Sequence, residues 1–244
     1  MKKIIKDILP KWSVDIIKTR RRRNIFKNKS ISETFTYINE SGYWKSKESV
    51  SGDGSELLVT QELSRKLEQL ILDKDINSML DIPCGDFNWM QKVHLKNTYY
   101  TGADIVENII ATNQQKYNSD RINFKVLDIT KDTLPKVDLI FCRDCLVHFS
   151  FKDIYKALVN IKNSKSKYLL TTAFYRCDEN KDIVTGEWRK INFELPPFNF
   201  KKPIEIIDEN YTVKGYKYSD KSMCLWEVND IVIPFRLKLF YWFT

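Results

Sequence analysis

Cysteine is scarce in this chain, at five residues in 244, and the number is odd and the spacing irregular. That excludes a disulfide framework and makes a reducing, cytoplasmic setting the expectation. Long apolar runs are missing too: no window approaches the roughly 20 apolar residues of a membrane span. The basic N-terminus has no signal-peptide core, because Lys6, Asp7, Pro10 and Lys11 interrupt its apolar positions. The expectation is a protein neither secreted by that route nor threaded through a bilayer. Cys142-x-x-Cys145 has no second pair beside it, which discounts zinc and redox chemistry, and no metal is expected. Internal repeats and low-complexity tracts are absent, and the length suits one α/β core with short extensions. Histidine is the rarest chemical resource, with His94 and His148 alone.

Charge is present but unevenly placed. The formal net charge is +8, yet residues 1–30 hold eleven Lys and Arg against Asp7 and Asp15, a local +9, so the rest sums to −1. A near-neutral body argues against a broad nucleic-acid face, and nucleic acid is not expected as a partner. Residues 1–40 read as a basic, amphipathic, helical extension: Ile4, Ile8, Trp12 and Ile16 recur every four residues and Arg20 to Arg23 follow. Two readings stay open for it, a helix on an anionic membrane surface and a helix packed on the domain with a solvated basic linker. Residues 231–244, rich in aromatics from Phe235 to Phe243, must bury themselves against the body, a partner or lipid.

The body, 41–230, alternates strands and helices. Short apolar runs predict strands at 78–82, 99–104, 122–127, 137–142 and 167–173, with late strands at 204–208 and 223–229, one of them antiparallel at the edge. Helices are expected from about Ser55 to Leu72, near 87–94, and at 106–117 and 151–163. The fold class is therefore α/β, a Rossmann-like, doubly wound, mostly parallel seven-stranded sheet. The segment 174–203, rich in aromatics and proline, reads as a lid on the acceptor side.

Everything is organised around Ser78 to Met90, an apolar run ending on Asp81, a turn through Pro83-Cys84-Gly85, then residues compatible with a helix start. With Asp81, Cys84 and Gly85 in this order the stretch resembles the first motif of class I S-adenosylmethionine (SAM) dependent methyltransferases, although Pro83 and Phe87 stand where two of the motif's glycines would be. Asp-x-Pro-Cys-Gly-Asp-Phe-x-Trp-Met here, Cys-Arg-Asp-Cys-Leu-Val-His at 142–148 and Ser-Gly-x-Gly-Ser at 51–55 together resemble a bacterial group of that class over residues 40 to 230. The resemblance implies SAM as cofactor and the class I sheet as fold.

Ligands of open parallel sheets sit outside the carboxyl ends of the strands. That rule selects Asp81, Asp104, Asp128 and the pair Arg143-Asp144. Asp104 suits both ribose hydroxyls of an adenosine; Asp128 suits the adenine amino group, with Ile129 over the ring. The cofactor set is thus Asp81, Pro83, Cys84, Gly85, Asp86, Asp104, Ile105, Asp128, Ile129 and Arg143. His148 is the candidate general base for an acceptor hydroxyl, with Asp144 as competing base or orienting group. The alternative has Asp144 bonded to backbone and His148 capping the helix near Ser150. Candidate substrate contacts are Tyr43, Trp44, Ser51 and Ser55 around a Gly/Ser turn that could cradle an anion, with Trp188 for a sugar face and Arg189 for a phosphate or carboxylate. The same turn also reads as a plain loop in which Ser55 caps a helix. His94 reads as structural, and Asp220-Lys221 as a pair that could close the site.

The expected function is a methyl transfer to an acceptor oxygen, of a sugar or a phosphorylated or lipid-linked glycan precursor in polysaccharide biosynthesis. The partners are then a small-molecule or glycan acceptor and, peripherally, an anionic membrane surface. The competing expectations are an RNA methyltransferase using the basic arm and a methyltransferase-like scaffold without catalysis.

Overall fold

A computed structural model describes residues 24–211 and 218–233. Helix α1 (Ile31–Glu40) starts at a capping box: the Ser30 hydroxyl accepts from Glu33 N–H, and the Glu33 carboxylate accepts from Ser30 N–H. Then come α2 (Leu57–Asp73), β1 (Ser78–Asp81), β2 (Tyr99–Asp104), α3 (Glu107–Tyr117), β3 (Ile122–Val126), β4 (Leu139–Cys142), α4 (Phe151–Asn163), β5 (Tyr168–Phe174), β6 (Glu205–Asp208) and β7 (Lys221–Glu227). Among the described residues the sheet has seven strands in the order β3-β2-β1-β4-β5-β7-β6. Strands β1 to β5 pair in parallel. Strand β7 runs antiparallel to both β5 and β6.

Alternation along the strands feeds two cores. Leu80, Ile140 and Cys142 face one side with Ile154, Leu158 and Ile161 of α4. Met79, Leu139 and Phe141 face the other, with Leu63, Leu67 and Leu70 of α2 and Ile110 of α3. Central strands β4 and β5 are buried throughout, which is why they read as unbroken apolar runs. The sheet is therefore covered on both faces, and its winding reverses between β1 and β4, leaving the carboxyl ends of these strands as the open rim.

Four expectations are corrected. No α-helix spans 87–94; turns lead to a short 3₁₀ turn at Met90–Lys92. The aromatic side chains outweigh the local propensity there: Phe87 packs on Tyr100, Tyr117 and Phe124 at 5.1 to 5.2 Å with a backbone φ of 58°, and Trp89 packs on Phe141. The antiparallel strand is not at the edge, since β7 lies between β5 and β6. The boundary at residue 40 cuts through the body: Phe26 and Thr34 are buried, and Phe35 of α1 meets Phe149 at 5.8 Å. Ser55 caps no helix, because Glu56 is the first-turn flank of α2.

The amphipathic stretch with Arg20 to Arg23 and most of the apolar C-terminal stretch lie outside the described residues. Ile231 is buried in the core beside α4, whereas Val232 is exposed. Among the described residues no helix is long and apolar enough to cross a membrane.

Candidate active site

A cavity of about 1240 Å³ opens at the rim. Asp53, Asp81, Asp86, Asp104, Asp128, Asp144 and Glu187 line it, against Lys45, Arg143 and Lys221. Every residue expected to hold cofactor or substrate reaches this cavity except Arg189, and of the pair expected to close the site Lys221 reaches it while Asp220 does not.

The turn after β1 shapes its floor. Ile82–Pro83 is a cis peptide, Cys84 N–H bonds the Ala103 carbonyl at 2.8 Å, and Gly85 adopts φ 54°. Only glycine fits there, since a Cβ on Gly85 would collide with the Ser51 hydroxyl. Asp104 ties this turn to the next strand by accepting from Gly85 N–H at 3.2 Å and Val106 N–H at 3.0 Å. Burial nevertheless pushes the Asp104 carboxyl up to about 6. Asp81 is buried deeper, accepts from the Tyr100 hydroxyl at 2.6 Å, and is pushed by burial up to about 8.

Two acids of the lining have structural partners of their own. Asp86 is occupied by Ser49 Oγ at 3.0 Å and Val50 N–H at 2.9 Å, so it clamps the 49–51 loop onto Gly85 and is not free to grip a cofactor. Asp128 accepts from the Thr130 amide and hydroxyl at 2.8 and 2.7 Å through one oxygen, and its other oxygen lies 3.5 Å from Lys131. Ile129 is buried beside it, and Ile105 is half-buried on the wall. Asn88 holds the Ser55 carbonyl at 3.0 Å, fixing the far end of the Ser51–Ser55 loop.

Arg143 is also spent. Its guanidinium meets Glu209 at 2.6 Å, the Gly54 carbonyl at 2.9 Å and Asp144 at 3.5 Å, and lies over the Trp89 ring at 5.5 Å. Lys221 Nζ sits 2.6 Å from Asp144 and 3.3 Å from Glu209. Although burial opposes it, the Lys221 ammonium and then the Arg143 guanidinium hold Asp144 down to about 2, which makes it an ion-pair anchor and a poor base. Its backbone, at φ 52°, is held by N–H donation to Thr172 Oγ1.

His148 is placed differently. Its Nδ1 lies 2.8 Å from the Glu187 carbonyl. A carbonyl only accepts, so Nδ1 carries the proton and Nε2 keeps its lone pair. Trp44 covers the ring at 4.4 Å between centroids and 36° between planes. Burial lowers the imidazole to about 4, so it is neutral at physiological pH. His148 does not cap α4; Ser150 does, accepting from Asp153 N–H at 3.2 Å.

Of the remaining expected contacts, Tyr43 is exposed on the wall and packs edge-on to Phe26. Trp188 is 41% exposed. Arg189 turns inward instead: it donates to the Leu146 and Phe149 carbonyls at 2.8 and 2.9 Å, pinning the His148 loop from behind. Burial lowers its guanidinium to about 10. A carboxylate or phosphate contact by Arg189 is therefore excluded by geometry. His94 is held by its backbone N–H to Glu68 at 2.9 Å, away from the cavity. Among the described residues no cluster of His, Cys, Asp or Glu could hold a metal. Tyr211 of the lining, and Glu209 and Tyr100 that hold lining residues from behind, were not legible, since a lone acid or tyrosine beside an edge or inner strand carries no local signal.

Residues 79–164 match the family described as "Methyltransferase domain". No curated protein matches the chain. Among solved structures it is similar to an S-adenosylmethionine-dependent methyltransferase from Clostridium acetobutylicum, at 16% identity over 48% of this chain and 52% of that one, TM-score 0.41. It is similar to the N-methyltransferase NodS from Bradyrhizobium japonicum with bound S-adenosylhomocysteine, at 17% identity, 58% and 73% coverage and TM-score 0.47. A third is magnesium protoporphyrin IX methyltransferase from Synechocystis, at 14% identity, 59% and 72% coverage and TM-score 0.46. The chain spans about half the length of the structures it matches first. The stretch 79–164, which carries β1 to β4 and much of the rim of the cavity, is thus similar to a methyltransferase domain.

Proposed function

We propose that the cavity is the active site of a SAM-dependent methyltransferase acting on an acceptor oxygen, a sugar hydroxyl of a glycan or glycan precursor. The observation that carries this reading is the neutral His148, which keeps an Nε2 lone pair and lines the same cavity as the strand-end acids. The lining suits a cationic cofactor. Seven acids stand against three cations, and burial raises Asp81 and Asp104 so far that a positive group nearby would relieve them.

Bound there, SAM supplies a methyl group on a sulfonium that needs alignment more than activation. Asp104, with lone pairs left beyond its two backbone bonds, would accept from the ribose hydroxyls. Asp128 and Ile129 would meet the adenine edge and face. His148 Nε2 takes the proton of the attacking hydroxyl, and the nearby Asp144 carboxylate stabilises the imidazolium that forms.

Calorimetry with SAM tests the cofactor step, expecting binding that Asp104→Ala weakens strongly; tight NAD binding without SAM binding would defeat it. Labelled SAM offered with sugars and glycan precursors tests the transfer.

A further inference from the structure

Beyond the strand-end acids the cavity is walled by rings. Trp44 covers His148, and Trp188 follows directly on Glu187, the residue whose carbonyl fixes the His148 tautomer. Trp188 stands edge-on to Phe174 at 5.7 Å and to Tyr218 at 5.0 Å, yet stays 41% exposed. An indole braced on two sides and left open towards a cavity is a platform for another ring.

The cations on this side are, in contrast, already matched. Lys221 is shared by Asp144 and Glu209, and Arg143 is held by Glu209. Lys190, against the Phe174 ring, is 2.7 Å from Asp220. Arg189 faces inward to carbonyls. Among the described residues the remaining cation of the lining is the exposed Lys45. A phosphate entering here would give up its hydration among carboxylates, with no guanidinium or ammonium of the inner wall left to replace it.

From wall and charge together we infer that the acceptor is an uncharged, ring-bearing alcohol. Its ring rests on Trp188, its hydroxyl meets His148 Nε2, and sugar phosphates and nucleotide sugars are disfavoured. This rests on the methyltransferase reading of the cavity and narrows the glycan-precursor expectation to its unphosphorylated members.

The test uses the full chain saturated with S-adenosylhomocysteine, whose own affinity is measured first by calorimetry. Failure of that binding overturns the methyltransferase reading itself. With it in place, phenyl β-glucoside and its 6-phosphate are titrated while tryptophan fluorescence is followed. The neutral glycoside should bind at least roughly tenfold more tightly. Trp188→Ala should weaken it by about tenfold or more while leaving S-adenosylhomocysteine affinity unchanged. Equal or tighter binding of the phosphate, absence of glycoside binding, or an unaffected Trp188→Ala variant would each overturn the inference.

Discussion

At His148, burial and a carbonyl-fixed tautomer give a base that works only when unprotonated, and burial lowers its value from 6.5 to about 4. The rate at saturating substrates should therefore hold from pH 8 down to about 5 and fall as pH drops through 4. An acid limb near 6.5 instead would show that the ring is solvated during turnover. His148→Ala should lower kcat by roughly 10² to 10⁴ with little change in SAM affinity. Asp81 has the opposite sign. Its carboxyl is raised from 3.8 to about 8, so the ligand-free fold keeps a proton that the unfolded chain has released. Its stability contribution is full below 3.8 and is lost as pH rises through 8. Asp81→Asn keeps an acceptor for Tyr100 and removes that loss, so its advantage in melting temperature over the parent should grow from pH 4 to 8. A pH-independent difference would contradict the assignment.

Among the elements, the turn after β1 is most exposed to substitution. Gly85→Ala places a methyl on Ser51 in a left-handed backbone and should destabilise by about 1 to 3 kcal/mol in urea titrations. Ser51→Gly in the same chain should restore part of it; complete additivity would mean that the two do not touch. This turn was half legible in sequence. Asp81, Cys84 and Gly85 announce it because a short apolar run ending on an acid and glycine is local information, and β2 at 99–104 and the apolar β4 and β5 are legible for the same reason. The residues beyond Gly85 were not legible. Phe87 and Trp89 look helix-compatible until Tyr100, Phe124 and Phe141 arrive from other strands to hold them. Arg143 and Arg189 illustrate the same limit, since the sequence shows a cation near the rim but not whether a distant carboxylate or carbonyl has already engaged it.

Across the whole molecule, one buried ionic network joins parts far apart in the chain. Glu209 after β6 receives Arg143 from the β4 loop and Lys221 from β7, and Arg143 also holds Gly54 ahead of α2. Glu209→Gln leaves two buried cations sharing one remaining carboxylate, so a loss of about 3 to 5 kcal/mol is expected in denaturant unfolding. Breaking the exposed Arg65–Glu62 pair should have little effect by the same measure, because water screens both charges. A small effect of Glu209→Gln would mean that water reaches the network. The sheet order that assembles this network also dictates when it can exist. The strand inserted between β5 and β6 is the last of the seven to leave the ribosome, and until residue 227 has emerged both neighbours present unpaired backbone. A nascent chain stopped short of Lys221 would thus hold two sticky borders and an unfinished binding chamber, so premature termination should yield aggregates and no partly active fragment.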